Sequence, residues 1–313
     1  MTVRVLAFAW AACFVAAPCA ADESAGGRGA VLAPFLFQPA DARVAGMGEP
    51  FLVSPGSSFG AGGSPLSLTR LTGGAFGFTH HEHVTSLGWR QELLGAAFPL
   101  AGGMAGLAVQ EGLLGTFDWR DAAGDPGAGP VWNDFTQASA GYGMRIGSLS
   151  VGGAASFVRA GAPGATGIAL HGGGDWRAAN GLTLSAGFRN VGGPATYGGW
   201  PAEVGVGAAF AGARYELCAE AVLRNPAEPG ARLGAEVWLG EHVALRAGGR
   251  AFQGSDGFQD VAAGGGLGFR FGSFGLDYAA TYLPEWGALS HRMTLVLGPG
   301  AVPRAPTETR KAK

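Results

Sequence analysis

His80, His81, Glu82 and His83 stand side by side, and imidazoles with a carboxylate at this spacing could hold a metal ion. In an extended chain His81 and His83 share one face, which chelation would favour. No cysteine or further histidine cluster completes a ligand set. A polar strand end is the plainer reading, and no metal is expected. A hydrolytic reading would combine His171 and Asp175, which fall on one face of one strand, with a serine. No Gly-x-Ser-x-Gly elbow accompanies them. They read as lining, so no catalytic residue, enzyme activity or cofactor is assigned.

Gly205-Val-Gly207 and Gly264-Gly-Gly266 would cradle a phosphate only by opening a helix in a βαβ unit, and both sit inside strand patterns. Arg145, Arg189, Arg214, Arg232, Arg246, Arg250 and Arg270 would suit an anion-selective pore. Glu216, Glu220, Glu236, Asp260 and Asp277 are interleaved with them. Both signs together favour paired structural charges facing an enclosed lumen. The expected lumen lining is therefore this arginine set with His171, Asp175, Glu216, Glu220, Glu236 and Asp277.

The elements that must position these residues are strands. Over 135–159, Ala138, Ala140, Tyr142, Met144 and Ile146 alternate with Gln137, Ser139, Gly141, Gly143 and Arg145. After Gly147, Leu149, Val151, Ala155 and Phe157 alternate with Ser148, Ser150 and Ser156. Period-2 alternation marks strands with one apolar and one wet face. Two such strands of about ten residues make a hairpin long enough to cross a bilayer when tilted. The pattern recurs along 75–298 and gives fourteen strands. Short connections follow the even strands and long ones the odd strands, with the longest loop at 114–134. Outer-membrane barrels have short periplasmic turns and longer external loops. Both termini are therefore expected in the periplasm. Trp89, Trp132, Trp176, Trp238 and Tyr282 lie near strand ends and are expected to form interfacial girdles.

Composition agrees. Of 313 residues, hydrophobic types make up 47% and charged types 14%, and glycine occurs 58 times without a Gly-X-Y period. Collagen and disorder are thereby excluded. The formal net charge of -2 offers nothing to a nucleic acid. Arg4, an apolar run over 5–17 and Cys19-Ala20-Ala21 read as a secretory signal cleaved before Asp22. Pro18 suits lipidation of Cys19 poorly. Cleavage leaves Cys218 alone, with no intrachain disulfide. The expected organisation is a signal peptide at 1–21, an irregular plug-like segment at 22–72, a barrel at 73–298 and a periplasmic tail at 299–313. The fold class is all-β: a 14-stranded antiparallel transmembrane β-barrel with an N-terminal luminal segment.

Several motifs resemble the PorV/PorQ family, a branch of FadL-like outer-membrane barrels. They are Ala42-Arg-Val-Ala-Gly-Met-Gly48, Phe76-Gly-Phe-Thr-His-His-Glu-His-Val84, Phe188-Arg-Asn-Val-Gly-Gly193, and Leu276-Asp-Tyr278 with Ser290-His-Arg-Met-Thr-Leu295. The resemblance runs from about residue 40 to 298. It implies a conduit for small hydrophobic compounds with an N-terminal hatch, or a PorV-like scaffold that partners a protein-secretion system. Outer-membrane lipid is the expected surrounding in either case. The family's Asn-Pro-Ala element is replaced by Ser64-Pro65-Leu66-Ser67.

Overall fold

The alternating segments form strands in a computed structural model that describes residues 34–84, 89–120, 126–160, 164–194, 199–224, 228–253, 259–284 and 288–299. In chain order the strands are β1 Ala75–Val84, β2 Arg90–Leu100, β3 Gly103–Arg120, β4 Pro126–Ile146, β5 Leu149–Ala160, β6 Ala165–Arg177 and β7 Leu182–Gly192. β8 Glu203–Ala211, β9 Tyr215–Arg224, β10 Glu228–Leu239, β11 Val243–Gln253, β12 Gln259–Phe271, β13 Phe274–Leu283 and β14 Ala288–Leu297 complete them. Each strand pairs antiparallel with its sequence neighbours. β1 also pairs with β14, Phe76 opposite Leu297, and closes the barrel. Closure pairs the wall strands on both sides, the condition for strands to span a bilayer, while the β3–β4 extension beyond Leu113 and Phe135 pairs only with itself.

The turns at 147–148 and 272–273 use Gly147 (φ 63°) and Gly272 (φ 57°), conformations that a side chain would strain. The stretch 114–134, expected as a loop, instead extends β3 to Arg120 and starts β4 at Pro126. Register shifts at Leu113/Thr116 and Asp118/Arg120 interrupt the pairing there. These irregularities break the period of two, so the extension carries no alternation to read.

Every second side chain points out, and most of these are apolar. Leu233 is 61% exposed and Ile146 59%, and large apolar residues are exposed on every strand. A closed sheet whose outside is mostly hydrophobic belongs in a bilayer. In the 135–159 hairpin, Ala138, Ala140, Ile146, Val151 and Phe157 face outward while Gln137, Ser139, Ser150 and Ser156 are buried. The expected girdle is only partly formed. Trp176 and Tyr282 face outward, but Trp89 and Trp238 are buried inside. Trp238 shares inward parity with Arg232, Gly234 and Glu236, and its Nε1–H donates to Glu236 Oε1 at 2.9 Å. Alternation outranked proximity to a strand end. The side chain of Trp132, the signal-peptide span and the tail beyond residue 299 lie outside the described residues.

Candidate functional site

Residues 34–71 run through the interior as 3-10 turns Pro34–Phe37, Gly60–Gly62 and Pro65–Arg70 and one short helix, α1, Ala42–Gly46. Asp41 sets α1: its Oδ1 accepts the Val44 N–H at 2.8 Å and its Oδ2 the Ser57 hydroxyl at 2.6 Å. A helix this short is not stable alone. The wall holds it, with the Ala42 N–H donating to Thr294 Oγ1 at 2.8 Å. Glycines leave room for the segment. A Cβ on Gly234 would lie 2.0 Å from the Met47 carbonyl oxygen, and one on Gly248 2.3 Å from the Met47 carbonyl carbon. Phe59 covers Gly77 and Gly95 in the same way, where a Cβ would meet its ring at 2.5 and 2.6 Å.

Charges then tie segment to wall. Arg43 is bidentate on Glu236, at 2.8 and 2.7 Å, and Arg246 reaches the same carboxylate at 2.6 Å. Arg246 and Arg270 share Asp277, at 2.7 and 2.6 Å. Glu220 accepts the consecutive N–H groups of Phe51, Leu52 and Val53 at 3.2, 2.7 and 3.0 Å. Glu203 gathers Arg189, Arg232 and Arg224 at 2.7, 2.8 and 3.1 Å. Asp260 takes Arg224 and Arg250, both at 3.0 Å, and Arg250 also pairs with Glu49 of the segment. Arg70 bonds Asp175 at 3.1 Å and the Ser54 carbonyl. Burial opposes the charge of Arg43, but the Glu236, Glu216 and Asp277 carboxylates together outweigh it and hold the guanidinium above its usual pKa. Removing one partner from such a network strands the other as a buried charge, which costs about 3–5 kcal/mol.

At the long-loop end the interior turns apolar. Phe35 and Leu36 enter a cage of Trp89, Phe135, Val158, Ala160, Ala165, Ala169 and Trp200. The rings of Phe35 and Phe135 stack with centroids 3.6 Å apart and planes 4° apart. β7 grips this part of the segment. The Asn190 amide donates to the Leu36 carbonyl at 3.1 Å and Arg189 to the Phe37 carbonyl at 3.4 Å. Asn190 has φ 59° beside a register shift at Leu170/Gly172. That bulge re-aims it inward. Two internal cavities beside the segment, of about 20 and 10 Å³, have room for about one water each.

The expected lining residues divide by depth. His171, Asp175, Arg189, Glu220, Arg232, Glu236, Arg246, Arg270 and Asp277 are buried inside. The Arg250 side chain is 8% exposed, and Glu216 is half-buried and 3.8 Å from Arg43. Arg145 and Arg214 sit beside the short turns and are exposed. Glu203, Arg43, Arg70 and Glu49 are not in the expected set, and Arg224, whose inward face the alternation gives, is not counted in it either. Glu203 and Arg224 end their strands with inward parity, which was a usable signal. The three segment residues had none.

The hydrolytic set is not assembled. His171 Nδ1 accepts the Asn190 N–H at 3.2 Å, so Nε2 carries the proton and donates to Ser156 Oγ at 2.8 Å. A serine nucleophile needs the reverse polarity. Asp175 pairs with Arg70 and Arg177 instead of His171. Among the histidines first considered for metal, His80 points outward to Glu92 at 2.7 Å, while His81 is buried against Gln91 and Ser290, each at 2.7 Å. The strand pleat therefore separates them, and no metal-binding group of three occurs among the described residues.

Neither a protein-family model nor a curated protein matches the chain. Solved structures do. The chain is similar to the CymD monoaromatic hydrocarbon channel at 11% identity and a TM-score of 0.60, covering 83% of this chain and 96% of that one. It is similar to the Pseudomonas putida toluene transporter TodX at 13% identity and 0.60, covering 83% and 97%. The Ralstonia pickettii toluene transporter TbuX matches at 12% identity and 0.60, covering 84% and 98%. The likeness is one of fold: a closed antiparallel barrel of fourteen strands.

Proposed function

We propose that the chain is an outer-membrane conduit for small hydrophobic compounds, held closed by its N-terminal segment. The observation that carries this reading is the occupied cage. Phe35 and Leu36 fill an apolar pocket next to the long loops, where an apolar compound of similar size could replace them. Hydrocarbon channels among the solved barrels of this fold support it. The reading takes 1–21 as a cleaved signal, 22–72 as the plug, 73–298 as the barrel and 299–313 as a tail, with both termini periplasmic. The segment's ion pairs then act as a latch between closed and open arrangements.

The test is uptake of labelled toluene by Gram-negative cells producing the chain, against empty-vector cells. Faster uptake is expected, and Phe135→Asp should abolish the gain by placing a charge in the cage. Equal uptake with correctly inserted protein would overturn the reading.

A second reading is favoured by the lumen clamped by buried charge pairs: a PorV/PorQ-like, non-conducting partner of a protein-secretion system. On that reading no compound passes, and crosslinking in the envelope returns a stoichiometric secretion component. Recovery of the barrel alone would count against it.

A further inference from the structure

Arg224 is held in a way that its charge partners alone do not require. Its guanidinium edge is fixed by Glu203 Oε1 at 3.1 Å and by Asp260 Oδ2 at 3.0 Å. Both faces are left to rings. Cζ lies 3.8 Å from the centroid of Phe252 and 3.9 Å from that of Phe37. The two rings differ in origin. Phe252 belongs to β11 of the wall, and Phe37 to the luminal segment. Phe51 of the segment repeats the contact more loosely, 4.8 Å from Arg189 and 5.5 Å from Arg232.

We propose that Arg224, clamped by Glu203 and Asp260 and backed by Phe252, is a seat for one flat aromatic ring, which Phe37 occupies in the closed state. The seat makes the conduit prefer aromatic over aliphatic cargo. The inference rests on the conduit reading for its role in transport, but the seat itself can be tested without transport. When Phe37 withdraws, Arg224, Phe252, Glu203 and Asp260 remain in place because all four belong to wall strands. The exposed guanidinium face then meets a π-face by cation–π attraction, which a saturated ring of equal size cannot offer. Desolvation inside the barrel strengthens the contact, and the expected preference is roughly 2- to 30-fold. The neighbouring ion pairs keep the guanidinium plane from turning, so a planar ring is selected as well as an apolar one.

The experiment uses the full chain carrying Phe37→Ala, which empties the seat and leaves the wall untouched. Binding of toluene and methylcyclohexane to the purified, folded protein in detergent is compared by calorimetry. Toluene should bind Phe37→Ala more tightly than methylcyclohexane by the stated factor, and unaltered protein should bind it more weakly. Adding Arg224→Gln should bring the two affinities together, while Glu203 keeps Arg189 and Arg232 and Asp260 keeps Arg250. If that double variant does not fold, by heat-dependent electrophoretic mobility, Phe37→Ala with Phe252→Leu removes the backing ring instead and should lower the preference. No toluene binding by folded Phe37→Ala, or equal affinity for both compounds, overturns the seat. Selective binding without uptake by cells leaves the seat standing and overturns the conduit reading.

Discussion

Glu220 shows how one carboxylate can hold a length of irregular chain. Three successive N–H groups, from Phe51, Leu52 and Val53, have no strand or helix partner and converge on it. Consecutive donors of this kind form a concave anion seat, here filled by a wall residue. Glu220→Ala should leave those donors without their acceptor and take a carboxylate away from Arg232, 3.6 Å off, which keeps Glu203. The expected loss is about 3 kcal/mol, read as a lower denaturant midpoint in detergent micelles. A midpoint within about 0.5 kcal/mol of the parent would mean that the segment does not depend on this anchor. Gly248 tests the opposite quality, absence of a side chain. Gly248→Val would drive carbon into Met47, so the barrel should still close while the segment is expelled. Limited proteolysis should then cut within residues 34–71. Protection equal to that of the parent would argue that the wall yields instead.

At the level of elements, α1 depends on its cap and on the wall. Asp41→Ala removes both the Val44 and the Ser57 contact. The expected cost is about 1 kcal/mol, seen as faster hydrogen exchange at Val44 with the strands unaffected. The contrast between helix and strands also explains what the sequence revealed. Strands announce themselves because lipid on one side and a packed lumen on the other impose a period of two, residue by residue, as in 135–159. Trp238 could have been placed by the same rule and was misplaced only by giving weight to its aromatic type. The luminal segment follows no period, because its partners are remote. Arg43 meets Glu236 across 193 positions and Phe51 meets Glu220 across 169. No local pattern could have paired them. The lining charges were legible as a set, but their individual partners were not. The loop expected at 114–134 failed for the same reason, since bulges erase alternation without ending the sheet.

For the whole molecule, two incompatible surroundings sort the residues. Hydrophobic side chains cover most of the outside, and the buried charge is drawn inward and paired. Leu233, midway along β10 and outward, is a direct probe of the lipid contact. Leu233→Arg should lower folding stability in lipid vesicles by about 2–4 kcal/mol. Little change would place that face outside the hydrocarbon. The lumen enclosed by fourteen strands is wider than side chains alone fill in an eight-stranded barrel, and residues 34–71 make up the difference. On the proposed function, residues 34–71 close a pore rather than complete a solid core. Swelling of liposomes in a small sugar tests it most directly, with the full chain compared against a folded chain lacking residues 34–71. The full chain should cause no swelling and the shortened one rapid swelling; a shortened barrel that folds and stays as impermeable as the full chain would overturn the plug.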